Sequence, residues 1–165
     1  MTDLPKSFQV DPFYQQSISN VPSSSKSLRD ILNLYPFYYD ITEEQTYWVE
    51  PNHYIIQELL DWWEEEEPKL KAYYQERDTK KARTLIITMS AVFIDLLFWI
   101  NHQKVPGLIE IDFKIEELPY KPVNCNERIH YVISSPSQYH AYIQLNALFN
   151  EIKKIYARKR VLEDK

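Results

Sequence analysis

The chain has 165 residues, 15% of them aromatic, and a formal net charge of −5. That length suits one domain around one core, and the net acidity argues against a protein that coats nucleic acid with a broad cationic surface. Its single glycine, Gly107, and single cysteine, Cys125, exclude the usual glycine-rich phosphate loops, a disulfide framework and a thiolate-rich zinc site, and disfavour a sheet built on glycine hairpin turns.

Met1 to Lys26 contains Pro5, Pro12, Pro22, the run Ser23-Ser24-Ser25 and few aliphatic residues. This composition predicts a weakly ordered tail over 1–26, followed by a single helical domain over 27–165. Leu28, Ile31, Leu32 and Tyr35 recur at one-turn spacing, which predicts a short helix capped by Ser27 and ended by Pro36. The aromatic stretch Tyr35-Pro36-Phe37-Tyr38-Tyr39, with Tyr47 and Trp48 after it, reads as a cover for one edge of the core. Base stacking would call for interleaved cations, and none stands between Asp30 and Glu67.

Tyr54, Ile55, Leu59, Trp62 and Trp63 then give helical spacing from about Asn52 to Glu67, with Pro68 expected to kink that helix or start another. Glu64, Glu65, Glu66 and Glu67 close it with an acidic face. Thr84 to His102, TLIITMSAVFIDLLFWINH, is the most apolar run and predicts a central buried helix over about 80–102, capped by Asp78 or Thr79. Asp95 interrupts that run before it reaches the ~20 apolar residues that span a bilayer. No charged-then-apolar leader opens the sequence, so the expectation is a cytoplasmic protein without a membrane segment.

Ile109, Ile111, Phe113 and Ile115 alternate, as in a short extended segment, but lack an evident pairing strand. Asn124-Cys125-Asn126-Glu127 has the form of a capping box. Ser135-Pro136-Ser137-Gln138 has the same form with proline at the first helical position, and opens a long amphipathic helix over about 136–162. Tyr142, Leu145, Phe149, Ile152 and Tyr156 form its seam. From Glu151 onward it carries six basic residues against three acidic ones, with Lys153, Lys154, Arg158, Lys159 and Arg160 close together. The fold class is therefore an all-α, single-domain helical bundle.

Chemistry is sparse. On the central helix Thr84, Thr88, Ala91, Asp95 and His102 share one stripe, which reads as a solvent seam. Were Asp95 buried instead, Arg128 or Arg83 would be its partner, and Asp95→Asn would destabilise the fold by about 3 kcal/mol. Glu-x-x-His, a spacing used in two-metal carboxylate bundles, occurs at Glu127 to His130 and at Glu50 to His53. The second straddles Pro51, and Glu127 already serves as a cap. Cys125 with His130 or His140 is the kind of pair that chance supplies, although a cysteine in a first helical turn would have a lowered pKa.

At Leu97-Phe98-Trp99-Ile100-Asn101 with Val105-Pro106, at Pro122-Val123-Asn124-Cys125-Asn126-Glu127-Arg128, and at Tyr139-His140-Ala141-Tyr142-Ile143-Gln144-Leu145 followed by Leu148, Phe149 and Glu151, the chain resembles the YpoC-like family of small proteins from Bacillus and its relatives. The resemblance spans roughly residues 55 to 155 and leaves the first 50 uncovered. It implies no established activity, only genes commonly near those for a DnaD-type replication initiation protein and a helix-hairpin-helix repair endonuclease, which is association rather than mechanism.

These observations lead to a non-enzymatic protein-interaction module, accessory to replication or repair by that gene association, with no cofactor, no metal and an unidentified protein partner. Its expected surfaces are Glu64 to Glu67 and the cluster Lys153, Lys154, Arg158, Lys159 and Arg160. The rival readings are an enzyme using Asp95, Glu127, Arg128 and His130, and weak DNA contact through the basic C-terminal helix.

Overall fold

The computed structural model describes residues 2–14, 20–22 and 26–163. Two short strands, β1 (Thr2–Asp3) and β2 (Asn20–Val21), pair antiparallel, with Thr2 opposite Val21 and Asp3 opposite Asn20. Seven helices follow: α1 (Leu28–Leu34), α2 (Tyr38–Thr42), α3 (His53–Gln75), α4 (Thr79–Trp99), α5 (Ile111–Glu116), α6 (Cys125–Ser134) and α7 (Tyr139–Glu163). The fold is all-α, with α4 at its centre and α1, α3, α6 and α7 packed around it.

Local chemistry sets most of the boundaries. Ser27 Oγ accepts from the Asp30 amide at 3.3 Å to cap α1, Asn52 Oδ1 accepts from Tyr54 at 2.8 Å to cap α3, and Asp78 Oδ1 accepts from Lys81 at 3.1 Å to cap α4. In each case a side-chain oxygen takes up an amide that the first helical turn leaves without a backbone partner. At the far end of α4, Asn101 Nδ2 donates to Leu97 O at 2.7 Å and to Tyr120 O at 2.8 Å, while its Oδ1 accepts from Tyr120 N at 2.9 Å. One side chain thus closes α4 and ties down the segment before α6.

By length and composition α4 could cross a bilayer: its 21 residues include an 18-residue stretch of mean hydropathy 1.6, Asp95 within it. Of that stretch, 72% is buried inside the bundle. The apolar surface is covered by α3, α6 and α7, which is why a sequence this hydrophobic reads as a core helix.

Four features differ from the sequence-based expectation. The described residues of the first 26 are packed rather than tail-like: Leu4, Phe8, Phe13, Tyr14 and Val21 are all buried. Their number is small, but three of the five are aromatic, so a low average hydrophobicity conceals a few large anchors. The serine run 23–25 lies outside the described residues. Pro68 neither kinks nor restarts α3, which runs through it. Proline and the carbonyl it leaves unpaired stand on the exposed side, where water replaces the lost hydrogen bond. Residues 111–116 are helical rather than extended. Finally, α7 begins at Tyr139 rather than at Pro136, after a turn in which Gln138 N donates to Ser135 O.

The lone glycine lies where two segments cross. Gly107 has φ +142°, and a Cβ on it would stand 2.7 Å from Ser7 Cβ. Leu108 N donates to Ser7 O at 2.7 Å in the same place. Only a residue without a side chain lets the N-terminal segment approach this loop so closely.

Candidate functional site

Asp95 is fully buried and faces neither solvent nor an arginine. Its carboxyl meets that of Asp40, which α2 brings into the core beside α4. Asp40 Oδ1 accepts from Trp99 Nε1 at 2.9 Å and from Val105 N at 2.8 Å. Asp40 Oδ2 and both Asp95 oxygens have no other hydrogen-bond partner among the described residues. Two carboxylates that touch in a dry core cannot both be ionised, so they share a proton. Burial raises both groups, and the Asp40 charge raises Asp95 further, well above the ordinary carboxylate range. Asp40, held by two donors, carries the charge more readily, and Asp95, whose oxygens no N–H or O–H group among the described residues serves, is the group that keeps its proton. Burial pushes the Tyr14 phenol up, and its hydroxyl donates to Pro36 O at 2.7 Å. The expectations of a solvent seam and of an arginine partner are both corrected here.

Arg128 lies on α6 and turns the other way. Its guanidinium donates to Gln144 Oε1, to Val123 O and to Glu151 Oε1, each at 3.0 Å, and pairs with Glu151 Oε2 as well. It fastens α6 onto α7. Asn124 precedes α6 with φ 55° and makes no side-chain cap bond, so the expected capping box is absent and Glu127 points to solvent. Cys125 is buried and its thiol is pushed up to about 12, burial outweighing the cations Arg128 and Lys121. That is the reverse of a first-turn thiolate. Among the described residues no group of three or more His, Cys, Asp or Glu stands close enough to hold a metal.

The acidic face and the basic end each find partners, and one ion pair, Glu64 with Lys153, joins the two. Glu64 pairs with Lys153, Glu65 and Glu58 with Arg29, Glu66 with Lys69 at 3.2 Å, and Glu67 accepts from the Tyr142 hydroxyl. Lys159 is buried between Glu163, His102 at 3.3 Å and the Tyr120 ring. Arg160 reaches His53 Nε2 at 3.2 Å. Lys154 and Arg158 make no ion pair with a described residue. Three of these contacts, Glu64 with Lys153, Glu67 with Tyr142 and His53 with Arg160, tie α3 to α7.

His130 lines a cleft. A cleft of about 480 Å³ lies between the N-terminal segment, α4, α5 and α6, floored by Phe13, Ile94, Ile111, Ile115 and Ile129. Asp11, Glu110 and Asp112 rim it, with Arg83 and His130 also on its edge. The three carboxylates make no ion pair or side-chain hydrogen bond with any described residue. Ile109 and Phe113 beside it are 62% and 72% exposed. Asp95, Glu127, Arg128 and His130 are thus in four separate environments. Sequence reading missed Asp40 and this cleft; the signal for the cleft was the acidic, isoleucine-rich run Ile109 to Glu117.

Residues 53–164 match the family model described as YpoC-like protein. The chain belongs to the YpoC-like family. A YpoC-like relative, "Uncharacterized protein YpoC" of Bacillus subtilis (strain 168), is 26% identical over 145 residues, covering 86% of this chain and 88% of its own. Coverage that wide reaches into the first 50 residues, so the YpoC-like similarity extends to the segment that the short motifs leave out. No solved structure matches the chain.

Proposed function

We propose that this YpoC-like protein is an interaction module that holds an apolar segment of a basic protein partner in the cleft between the N-terminal segment, α4, α5 and α6. The supporting observation is the combination at that cleft: an isoleucine and phenylalanine floor under a rim whose carboxylates Asp11, Glu110 and Asp112 have no partner among the described residues. Inside a folded chain, acids at the edge of an apolar groove are normally neutralised, as Glu64 to Glu67 are here. Left free, they favour an arriving cation and disfavour an anion. The partner is accordingly a helix or extended segment with apolar anchors and flanking Lys or Arg. A single buried thiol accords with a reducing cytoplasm as the place of action. The replication or repair setting rests on the gene neighbourhood of the family alone.

A photo-crosslinking residue at Phe113, and another at Lys154 as control, tests the reading in cells of the native host. One protein should be captured through position 113 and not through 154, and Ile111→Glu should abolish the adduct while leaving the circular dichroism spectrum unchanged. Absence of any adduct at 113, or equal capture at both sites, would overturn it.

A further inference from the structure

The turn between α3 and α4 and the helix ends around it, reaching the cleft edge at Arg83, carry a concentration of cations. The last turns of α3, the turn after it and the first turns of α4 hold six basic residues, Lys69, Lys71, Arg77, Lys80, Lys81 and Arg83, against two acidic ones, Glu76 and Asp78. All six are exposed. Lys69 pairs with Glu66, and Lys81 approaches Asp78 at 3.8 Å. Lys71, Arg77, Lys80 and Arg83 make no ion pair with any described residue. Lys80, Lys81 and Arg83 lie at the N-terminal end of α4, whose first turn holds no acid. Helix-end electrostatics favour acids there and oppose cations. In a chain of net charge −5, such segregation marks a place where an anion is met.

The surroundings define the anion. An open groove of about 650 Å³ runs between α3 and α4 from this tip, where Lys69, Lys80 and Lys81 outnumber the carboxylates Glu66 and Asp78, and Asn33, Thr84 and Tyr73 add to the polar lining. Lys81 Nζ lies 5.9 Å from the Tyr73 ring centre. Between residues 55 and 108 no large apolar side chain is exposed, so the surface has nothing to insert into a bilayer. Two of the groove's lysines are held by Glu66 and Asp78, which leaves Lys80 in the groove and Lys71 and Arg77 beside it as the free cations; with hydroxyl and amide donors and one aromatic wall this suits a phosphodiester strand. We infer that the α3–α4 tip is a contact surface for single-stranded nucleic acid, gripping the phosphate backbone without reading sequence.

The test is fluorescence anisotropy of a labelled 20-nucleotide oligo-dT with the full chain, at low and at physiological salt. The variant Lys71→Gln/Arg77→Gln/Lys80→Gln is compared with a control of equal charge change, Lys6→Gln/Lys154→Gln/Arg158→Gln, which also removes the free cations of the C-terminal helix. All six positions are exposed, and thermal melts verify that both variants fold. The expected result is binding that weakens steeply with salt, falls at least about tenfold in the tip variant, and changes less than about twofold in the control. Four results would overturn the inference: no binding at low salt; equal losses in both variants; tighter binding of a 20-base-pair duplex; or binding of anionic phospholipid vesicles as tight as that of the oligonucleotide.

Discussion

Asp95 keeps its proton because ionising it would place a second negative charge against Asp40 in a region without water. The stability conferred by such a pair is fully present below the ordinary carboxylate range. It is lost as the pH rises through the raised values of the folded state, because the unfolded chain releases protons that the folded chain must hold. Asp95→Asn supplies a permanent donor to Asp40 at the same volume. The expectation is therefore a gain of about 1 kcal/mol or more at neutral pH and a flatter decline of stability toward alkaline pH, read from urea melts between pH 5 and 9. This sign is opposite to the loss expected for an arginine partner. A melt of Asp95→Asn that still declines with the wild-type slope would contradict the shared proton. Asp95 was legible in the sequence as the one charge in an apolar helix; Asp40 was not. It lies 55 positions away in a five-residue helix, too short for any periodicity, and the aromatic residues around it conceal that it faces Trp99.

Three long elements, α3, α4 and α7, were readable because each repeats an apolar position over more than twenty residues. The short ones were not. α2, α5 and α6 each begin after a non-glycine residue in the left-handed region, Phe37, Glu110 and Asn124, an entry that no cap motif announces. With one glycine in the chain, six other residues, Arg77, Glu43 and His102 among them, take positive φ, and tertiary packing overrides their local preference. Pro68 shows the same precedence. The neighbouring turns hold α3 together across a residue that ends most helices, so Pro68→Ala should restore the missing hydrogen bond and stabilise the fold by about 1–2 kcal/mol in thermal or urea melts. The proline's restriction of the unfolded chain partly offsets that gain. A destabilised Pro68→Ala would mean that the ring itself packs against something.

At the scale of the whole molecule, charge is arranged in three zones: a neutralised seam between α3 and α7, an acid-rimmed cleft on the α5 side, and a free basic tip. Net charge and runs of like residues did not reveal that Glu64 pairs with Lys153 and that Glu67 accepts from Tyr142, because a run of glutamates carries no information about the lysine or tyrosine that will lie across from it. The all-α architecture and the central helix could be read from pattern alone, whereas the closure by the N-terminal segment depended on a single crossing. Gly107→Ala would introduce a Cβ at 2.7 Å from Ser7 Cβ and a side chain at φ +142°, costing about 1–3 kcal/mol. Loosening should appear first in the N-terminal segment, as faster hydrogen exchange at Leu108 than at α4 amides. Equal protection at both places would show that the crossing is not what holds that segment.

That crossing also puts a delay into the making of the protein. Ser7 is synthesised some 100 residues before the loop it closes on, 105–108, an interval on the order of 5–20 s at bacterial elongation rates. For that interval Leu4, Phe8, Phe13 and Tyr14 have no core to enter, so the newborn chain carries at its leading end an aromatic segment open to whatever binds apolar peptide first.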